Sequence, residues 1–390
     1  MKDKIENRIK DLLTMGVEEV IVKKHLEERL KSGEKLRVKF GIDPTMPDLH
    51  LGHSVSLLKL KQFQDLGHQA VFLVGDFTAT IGDPSGKTSS RKPLAENEVK
   101  ENMANYIRQA AKILDIKKVE VRCNSEWYAK KGMDFLVQIT SRFTYAHLIE
   151  REDFQNRIKK GADISLLELI YPLLQGYDSV ELKADVEIGG TDQKFNLLMG
   201  RKVQQRFGQP EQDIITMPLL EGTDGVKKMS KSYDNYIGLT DAPFKMFGKI
   251  MSIPDKIMGR YFDLLTSVPR REIDDLVPRD QKLRLAWEIV NFYHGAQAAD
   301  QAREEFIRVF KKGGAPAQIK AIKITPRPIG AKELLVKCDL AKSLSEAQRL
   351  IEQGAVSLDN EVLTDWHQEL FIKKPVVLKV GKYHFVKLIL

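Results

Sequence analysis

Cysteine is nearly absent from this chain: two residues in 390, Cys123 and Cys338, far apart and outside any C-x-x-C pair. That excludes a disulfide framework and a Cys-rich zinc site. No apolar run approaches the ~18–20 residues that cross a bilayer, and residues 1–10 are charged, without the apolar core of a secretory signal. Repeats and low-complexity tracts are lacking too. Charge of one sign is scarce: 62 Lys and Arg against 54 Asp and Glu leave +8, a mild basic excess and not a polybasic tail. With 42% hydrophobic residues a core can form. These features lead us to expect a multidomain protein of a reducing, cytoplasmic compartment, with no membrane partner.

The basic excess is local. Residues 301–330 hold seven Lys and Arg (Arg303, Arg308, Lys311, Lys312, Lys320, Lys323 and Arg327) against two Glu. Such a cluster attracts phosphate polyanions, although a solvated helix end has the same composition. The same stretch contains Gly313, Gly314, Pro316, Pro326, Pro328 and Gly330, which punctuate structure and do not continue it. This places one boundary near 330 and a softer one near 240.

The first half alternates strands and helices. Val38 to Ile42 alternates like a strand. Residues 54–66 carry Val55, Leu58, Leu60 and Phe63 at helical spacing before Gly67, and Val71 to Val74 is wholly apolar. Strand, helix, strand is a βαβ unit, hence an open α/β sheet with ligands beyond the carboxyl ends of its strands. In the last sixty residues Ser343 and Glu346 fit a capping box, Leu344, Ala347, Leu350 and Ile351 share a helical face, and residues 376–390 alternate apolar with basic. That predicts a small α+β module.

Three stretches carry chemistry. Gly41-Ile42-Asp43-Pro44-Thr45 leads through two prolines to His50-Leu51-Gly52-His53 at a helix start, where free N–H groups favour phosphate. Lys228-Met229-Ser230-Lys231-Ser232 follows glycines, as in a mobile loop. Two lysines three apart can close on a polyphosphate and neutralise charge in a transition state. Tyr171, Gln175 and Asp178, at i, i+4 and i+7, share one helical face, with Pro172 and Gly176 inside that helix. Gly86-Lys87-Thr88 suggests a P-loop, but Ile81 stands where the upstream glycine belongs, so that reading is rejected.

HLGH at 50–53 and KMSKS at 228–232 resemble the two signatures of class I aminoacyl-tRNA synthetases. Gly82 to Lys87, Tyr171 to Asp178 and Gly189-Gly190-Thr191-Asp192-Gln193 make the resemblance closest to the bacterial tyrosyl-tRNA synthetases, and residues 331–390 are similar to an S4-type RNA-binding domain. The resemblance implies a class I catalytic domain over 1–240, an α/β fold with a Rossmann-type parallel sheet, with an inserted dimerisation segment at about 120–165. It further implies a helical anticodon-side domain with basic linker over 241–330, and an S4-like domain over 331–390. It implies activation of L-tyrosine by ATP, transfer to tRNA(Tyr), and a homodimer. Mg²⁺ is expected on the ATP phosphates, with no protein-ligated metal.

By the same resemblance Gly41, Asp43, Asp83, Tyr171, Gln175, Asp178 and Gln193 bind tyrosine. Within that set, Asp178 would accept from the phenol, Tyr171, Gln175 and Asp83 would hold the ammonium group, and Gln193 would meet the carboxylate. Gly52, Gly190, Asp192 and Lys231 would bind ATP, with Asp192 on the ribose. Thr45 and His50 would take the β- and γ-phosphates, with His53 beside them. Lys87, Arg91, Lys228 and Lys231 would hold the departing pyrophosphate.

A buried carboxylate facing a phenol rejects phenylalanine because it would be left unpaired; tyrosyl-tRNA synthetases are themselves the standing example, at about 10⁵-fold. No editing domain is then needed. One position departs from the family: Lys39 stands where some members carry a tyrosine that touches the phenol. Its role is open. The competing readings are a tryptophanyl-tRNA synthetase, a catalytically inactive RNA-binding paralogue, and a small HxGH nucleotidyltransferase.

Overall fold

The structure is a computed structural model that describes residues 2–85, 96–312, 320–359, 361–381 and 384–390. The chain divides into two compact units, Met1–Asp241 with Ile253–Leu285, and Ala242–Ser252 with Ala286–Leu390.

The first unit is built on a six-stranded sheet. Its strands are β1 (Glu19–Ile21), β2 (Arg37–Ile42), β3 (Gln69–Val74), β4 (Glu120–Cys123), β5 (Val186–Gly190) and β6 (Asp213–Met217), in the order β1-β6-β5-β2-β3-β4. β2 to β6 pair in parallel, and β1 closes the edge antiparallel to β6. From β2 the chain winds outward through β3 and β4, then returns to β5 on the opposite side. The strand order therefore reverses between β2 and β5, and the crevice at their carboxyl ends is where an open α/β sheet binds ligands. The α/β expectation holds. The short β1 has no counterpart in the sequence reading: three residues give no measurable period.

Helices α1 (Lys2–Thr14) and α2 (Lys23–Ser32) flank β1, α3 (Leu51–Asp65) joins β2 to β3, and the short α4 (Thr78–Ile81) follows β3. α3 starts at Leu51 and ends before Gly67, whose φ of +93° stops it. α5 (Glu96–Ala110) precedes β4. Between β4 and β5 come α6 (Ser125–Tyr128), α7 (Met133–Thr140), α8 (Tyr145–Leu148), α9 (Glu152–Lys159) and α10 (Leu166–Leu182), and α11 (Lys194–Arg206) follows β5. α10 opens on a capping box, Ser165 Oγ accepting from Glu168 N–H and the Glu168 carboxylate accepting from Ser165 N–H, and it runs on through Pro172. Gly176 lets α10 and α11 pack closely, since a Cβ there would meet Val203 at 2.7 Å and the Gly200 backbone at 3.1 Å. Apolar residues from β3, α6, α10 and α11 form one core, including Leu73, Trp127, Leu173 and Val203.

In the second unit, Phe247 of helix Pro243–Ser252 meets Phe306 of helix Ala296–Lys312, with ring centroids 5.4 Å apart. Its last part has two helices, Ala331–Lys337 and Leu344–Glu352, and a five-stranded sheet that takes in strand Lys320–Lys323 together with Val356–Leu358, Glu361–Val362, Val376–Val380 and His384–Ile389. Leu334, Ala347, Ile351, Val356, Leu378 and Leu388 form its core. Ser343 Oγ caps the second helix as expected, but Glu346 reaches back to Lys342 N–H and not to Ser343. Leu344, at the first turn of this helix, is half exposed, while Ala347 and Ile351 are buried. Within the basic stretch, 313–319 lie outside the described residues.

Candidate active site

The polar groups at the crevice come from strand ends, helix starts, the middle of α10 and the lysine loop. β2 runs into Gly41-Ile42-Asp43, β3 into α4 and Asp83, β5 into Gly190 and Asp192, and α3 begins at the histidine pair. A cavity of about 670 Å³ opens there. Its walls include Gly41, Asp43, Thr45, His50, Gly52, His53, Asp83, Tyr171, Gln175, Asp178, Gly190, Asp192, Gln193, Lys228 and Lys231. Every expected site residue among those described thus meets in one space. Lys87 and Arg91 lie outside the described residues.

The floor is a continuous polar network. Tyr171 Oη donates to Asp43 Oδ2 at 3.0 Å, and Thr78 Oγ1 donates to Asp43 Oδ1 at 2.8 Å. Asn124 Nδ2 bridges Thr78 Oγ1 (2.9 Å) and Asp178 Oδ2 (3.3 Å), while Trp127 Nε1 donates to Asp178 Oδ1 at 3.0 Å. On the other side Gln193 Nε2 donates to Asp83 Oδ2 at 2.8 Å, and Ser85 Oγ donates to Asp83 Oδ1 at 2.6 Å. Asn196 Nδ2 lies within reach of Gln175 Oε1 (2.9 Å), Gln193 Oε1 (3.0 Å) and Ser85 Oγ (3.3 Å).

Burial sets the protonation of the floor. It pushes the Asp43 carboxyl up to about 7, against hydrogen bonds from Thr78 and Tyr171 and with the charges of Asp83 and Asp178 adding to the rise. It also pushes Asp178 up to about 7, opposed first by the Lys39 charge and then by donors from Asn124, Trp127 and Tyr128. Burial raises the Tyr171 hydroxyl well above its ordinary value, so it stays a donor.

At the helix start the two histidine rings stack, centroids 3.8 Å apart. The His50 backbone N–H donates to His53 Nδ1 at 3.1 Å, which places the His53 proton on Nε2. Burial, then the charges of Lys231 and Lys228, lowers His53 to about 4. Burial also takes His50 well below its usual range, with His53 and the same lysines adding. Both rings are therefore neutral N–H donors at pH 7. A side chain at Gly52 would crowd the His50 ring, since a Cβ would sit 3.0 Å from it.

The lysine loop is tied to the body by Asn235. Its Oδ1 accepts from Ser230 N–H (2.8 Å), and its Nδ2 donates to Asp224 Oδ2 (2.9 Å) and the Lys228 carbonyl (3.2 Å). Lys228 Nζ then reaches Asp192 Oδ2 at 2.7 Å and Lys231 Nζ reaches Asp48 Oδ2 at 3.5 Å. Among the described residues no group of three or more His, Cys, Asp or Glu has the placement to hold a metal ion, and no helix is long and apolar enough to cross a membrane.

Sequence reasoning misses Thr78, Asn124, Trp127 and Asn196, and it gives Ser85, within the Gly82 to Lys87 stretch, no role of its own. Only Asn196 carries a signal, lying three residues after Gln193 and so on the same helical face. Lys39, which alternation alone would place on a polar strand face, is fully buried in a strand covered on both sides.

The profile of the family "tRNA synthetases class I (W and Y)" matches residues 31–311. The chain is 49% identical to the tyrosine--tRNA ligase of Carboxydothermus hydrogenoformans, over 97% of both chains. It is 45% identical to that of Thermotoga maritima, over 98% of this chain and 97% of the relative. Its fold is similar to that of a C-terminally truncated mitochondrial tyrosyl-tRNA synthetase from Aspergillus nidulans, with a TM-score of 0.66 and 22% identity over 79% of this chain and 99% of that one. The tyrosyl-tRNA synthetase from Archaeoglobus fulgidus complexed with L-tyrosine gives a TM-score of 0.62 and 23% identity, over 77% of this chain and 99% of that one. The chain belongs to the class I tRNA synthetases of the tryptophan and tyrosine family.

Proposed function

We infer that this protein is a tyrosine--tRNA ligase: it activates L-tyrosine with ATP and transfers it to the 3′-terminal adenosine of tRNA(Tyr). The observation that supports this best is the single cavity that joins the HLGH histidines, the KMSKS lysines and the Tyr171, Gln175 and Asp178 face. Full-length identity to tyrosine--tRNA ligases favours it over the tryptophan reading and over an inactive paralogue.

The tyrosine carboxylate attacks the α-phosphorus of ATP and pyrophosphate leaves. A ribose hydroxyl of the tRNA terminus then attacks the adenylate carbonyl and AMP leaves. The attacking groups belong to the substrates, so the protein contributes positioning and charge stabilisation. In this reading Asp178 accepts from the phenol, since its bonds to Asn124 and Trp127 mark it as an acceptor. Asp83, Tyr171 and Gln175 hold the ammonium group, Gln193 meets the carboxylate, and Gly41 and Asp43 complete the tyrosine side. Gly52 and Gly190 let the nucleotide approach, and Asp192 binds its ribose after releasing Lys228. Thr45, His50 and His53 donate to the phosphates, and Lys228 and Lys231 follow the pyrophosphate, with Lys87 and Arg91 assigned the same task. Mg²⁺ arrives on ATP as part of that substrate.

The domain reading is a catalytic part over 1–240, a helical part with basic linker over 241–330, and an S4-like RNA-binding part over 331–390. The homodimer is assigned to the inserted segment at about 120–165. Met133, Val137 and Tyr145 stand exposed there, with Leu166 and Leu167 just beyond it, and a second copy would cover them. Purified protein given tyrosine, ATP and tRNA(Tyr) should form tyrosyl-tRNA; no charging with a fully modified tRNA would refute the assignment.

A further inference from the structure

Lys39 and Glu187 face each other in register on β2 and β5, the two strands at which the sheet order reverses. Both are essentially without solvent exposure, and Lys39 Nζ lies 2.8 Å from Glu187 Oε1. The same ammonium donates to Ser179 Oγ at 2.8 Å and to the Gln175 carbonyl at 3.1 Å. An ammonium has three protons, and all three are therefore committed. Lys39 has none left to offer a phenol oxygen.

What it does touch brackets Asp178. Gln175 lies one helical turn before that carboxylate and Ser179 one residue after it, both on α10. Glu187 anchors the arrangement from behind, accepting at Oε2 from Ser179 Oγ (3.2 Å) and from Gln212 Nε2. A buried ion pair of this kind is weak evidence for stability, because desolvation offsets most of the attraction. Its placement beside a specificity carboxylate needs another account.

We propose that the Lys39–Glu187 pair is a positioning element for amino-acid selection, in which Lys39 holds Gln175 and Ser179 on either side of Asp178 and its charge favours the ionised, acceptor-only form of that carboxylate facing the substrate phenol. This rests on the reading of Asp178 as the group that meets the phenol. The charged and titratable groups that interact with Asp178 are Lys39 on β2, Asp43 beyond its end, Tyr128 on α6 and Tyr171 on α10, with Glu187 on β5 paired to Lys39 and Asp83 acting on Asp43 and Tyr171. Three of these are acids, and burial already drives Asp178 toward its neutral form. Lys39 is the largest influence in the other direction. A neutral Asp178 could still hydrogen-bond a phenol, but stranding it against phenylalanine would matter far less than stranding a carboxylate. Selection then depends on the charge.

The test uses ATP–pyrophosphate exchange with tyrosine and with phenylalanine from pH 5.5 to 9, on full-length protein. In Lys39→Met/Glu187→Gln, which removes both buried charges together, the acid limb of kcat/KM for tyrosine should move up by a pH unit or more. The tyrosine-to-phenylalanine ratio at pH 7 should fall at least ten-fold. In Glu187→Gln alone, where Lys39 loses its counterion, the limb should move the opposite way. The phenylalanine profile should not follow either shift, which separates Asp178 from Asp43. Profiles and ratios that match the wild type in both variants would overturn the proposal, as would shifts in the same direction. Asp178→Asn separates the two levels. If it relaxes selection while the pair variants do not, only the role of Lys39 fails. If it leaves selection intact, the reading of Asp178 fails and the proposal with it.

Discussion

Lys228 Nζ lies 2.7 Å from Asp192 Oδ2, so the first lysine of the KMSKS loop is bonded to the aspartate assigned to the ATP ribose. The cation intended for phosphate is parked on the carboxylate intended for sugar. On the proposed reading, ATP entry would exchange this contact for two others. Lys231 is placed similarly against Asp48, at the turn before the histidines.

Lys231→Ala should therefore slow the chemistry and spare ground-state binding. Removing one preorganised charge donor from a transition state lowers kcat by about 10²–10³. We expect a loss of that size in adenylate formation, with the KM for tyrosine within about two-fold of wild type. Pre-steady-state measurement of tyrosyl-adenylate checks it. Unchanged kcat would remove the lysine loop from the reaction.

Asn196 holds Gln175 and Gln193 in place from one amide. Asn196→Ala strands both side-chain oxygens and the Arg151 donor that now binds Asn196 Oδ1 at 3.0 Å. Leaving buried polar groups unpaired costs about 1–3 kcal/mol. The KM for tyrosine should rise by roughly ten-fold or more while the KM for ATP stays put. Equal effects on both substrates would mean a general loss of structure.

Asp178 also leaves a mark on stability. Its folded value of about 7 lies above the ordinary aspartate value, so between roughly pH 4 and 7 the folded state holds a proton that the unfolded chain has released. Stability from this group is present at low pH and is lost as pH rises through about 7. His53, lowered to about 4, acts with the opposite sign between 4 and 6.5, because there the unfolded chain binds the proton. The difference between proteins leaves Asp178 together with its effect on Asp43, and both have the same sign: Tm of the ligand-free wild type relative to Asp178→Asn should decline from pH 5 to pH 8. A flat difference would show that Asp178 titrates normally.

Removing residues 331–390 should leave tyrosine-dependent pyrophosphate exchange nearly intact and strongly reduce tRNA charging. That module has its own core, around Leu334, Ile351 and Leu378. The shortened chain would engage fewer tRNA phosphates, so the salt dependence of its tRNA binding should be shallower. Full charging by the shortened chain would contradict the RNA-binding assignment.

The sequence reveals those parts of the site that are contiguous or periodic. HLGH and KMSKS are each one short run, and Tyr171, Gln175 and Asp178 follow helical spacing. Residues that meet only through tertiary approach are not legible in it. Asn124 and Trp127 reach Asp178 from the end of β4, and Thr78 reaches Asp43 from the turn after β3. Lys39 is the clearest case. Its alternation with Val38 and Phe40 suggests a polar face, but a parallel strand buried on both sides can hold a lysine if a neighbouring strand supplies the counterion. Only the register of β2 with β5 brings Glu187 to it.

ATP–pyrophosphate exchange measured across the twenty amino acids tests the central claim most directly. The account predicts exchange with tyrosine, far below it with phenylalanine, and none above background with tryptophan. Exchange driven by tryptophan, or by no amino acid at all, would contradict it.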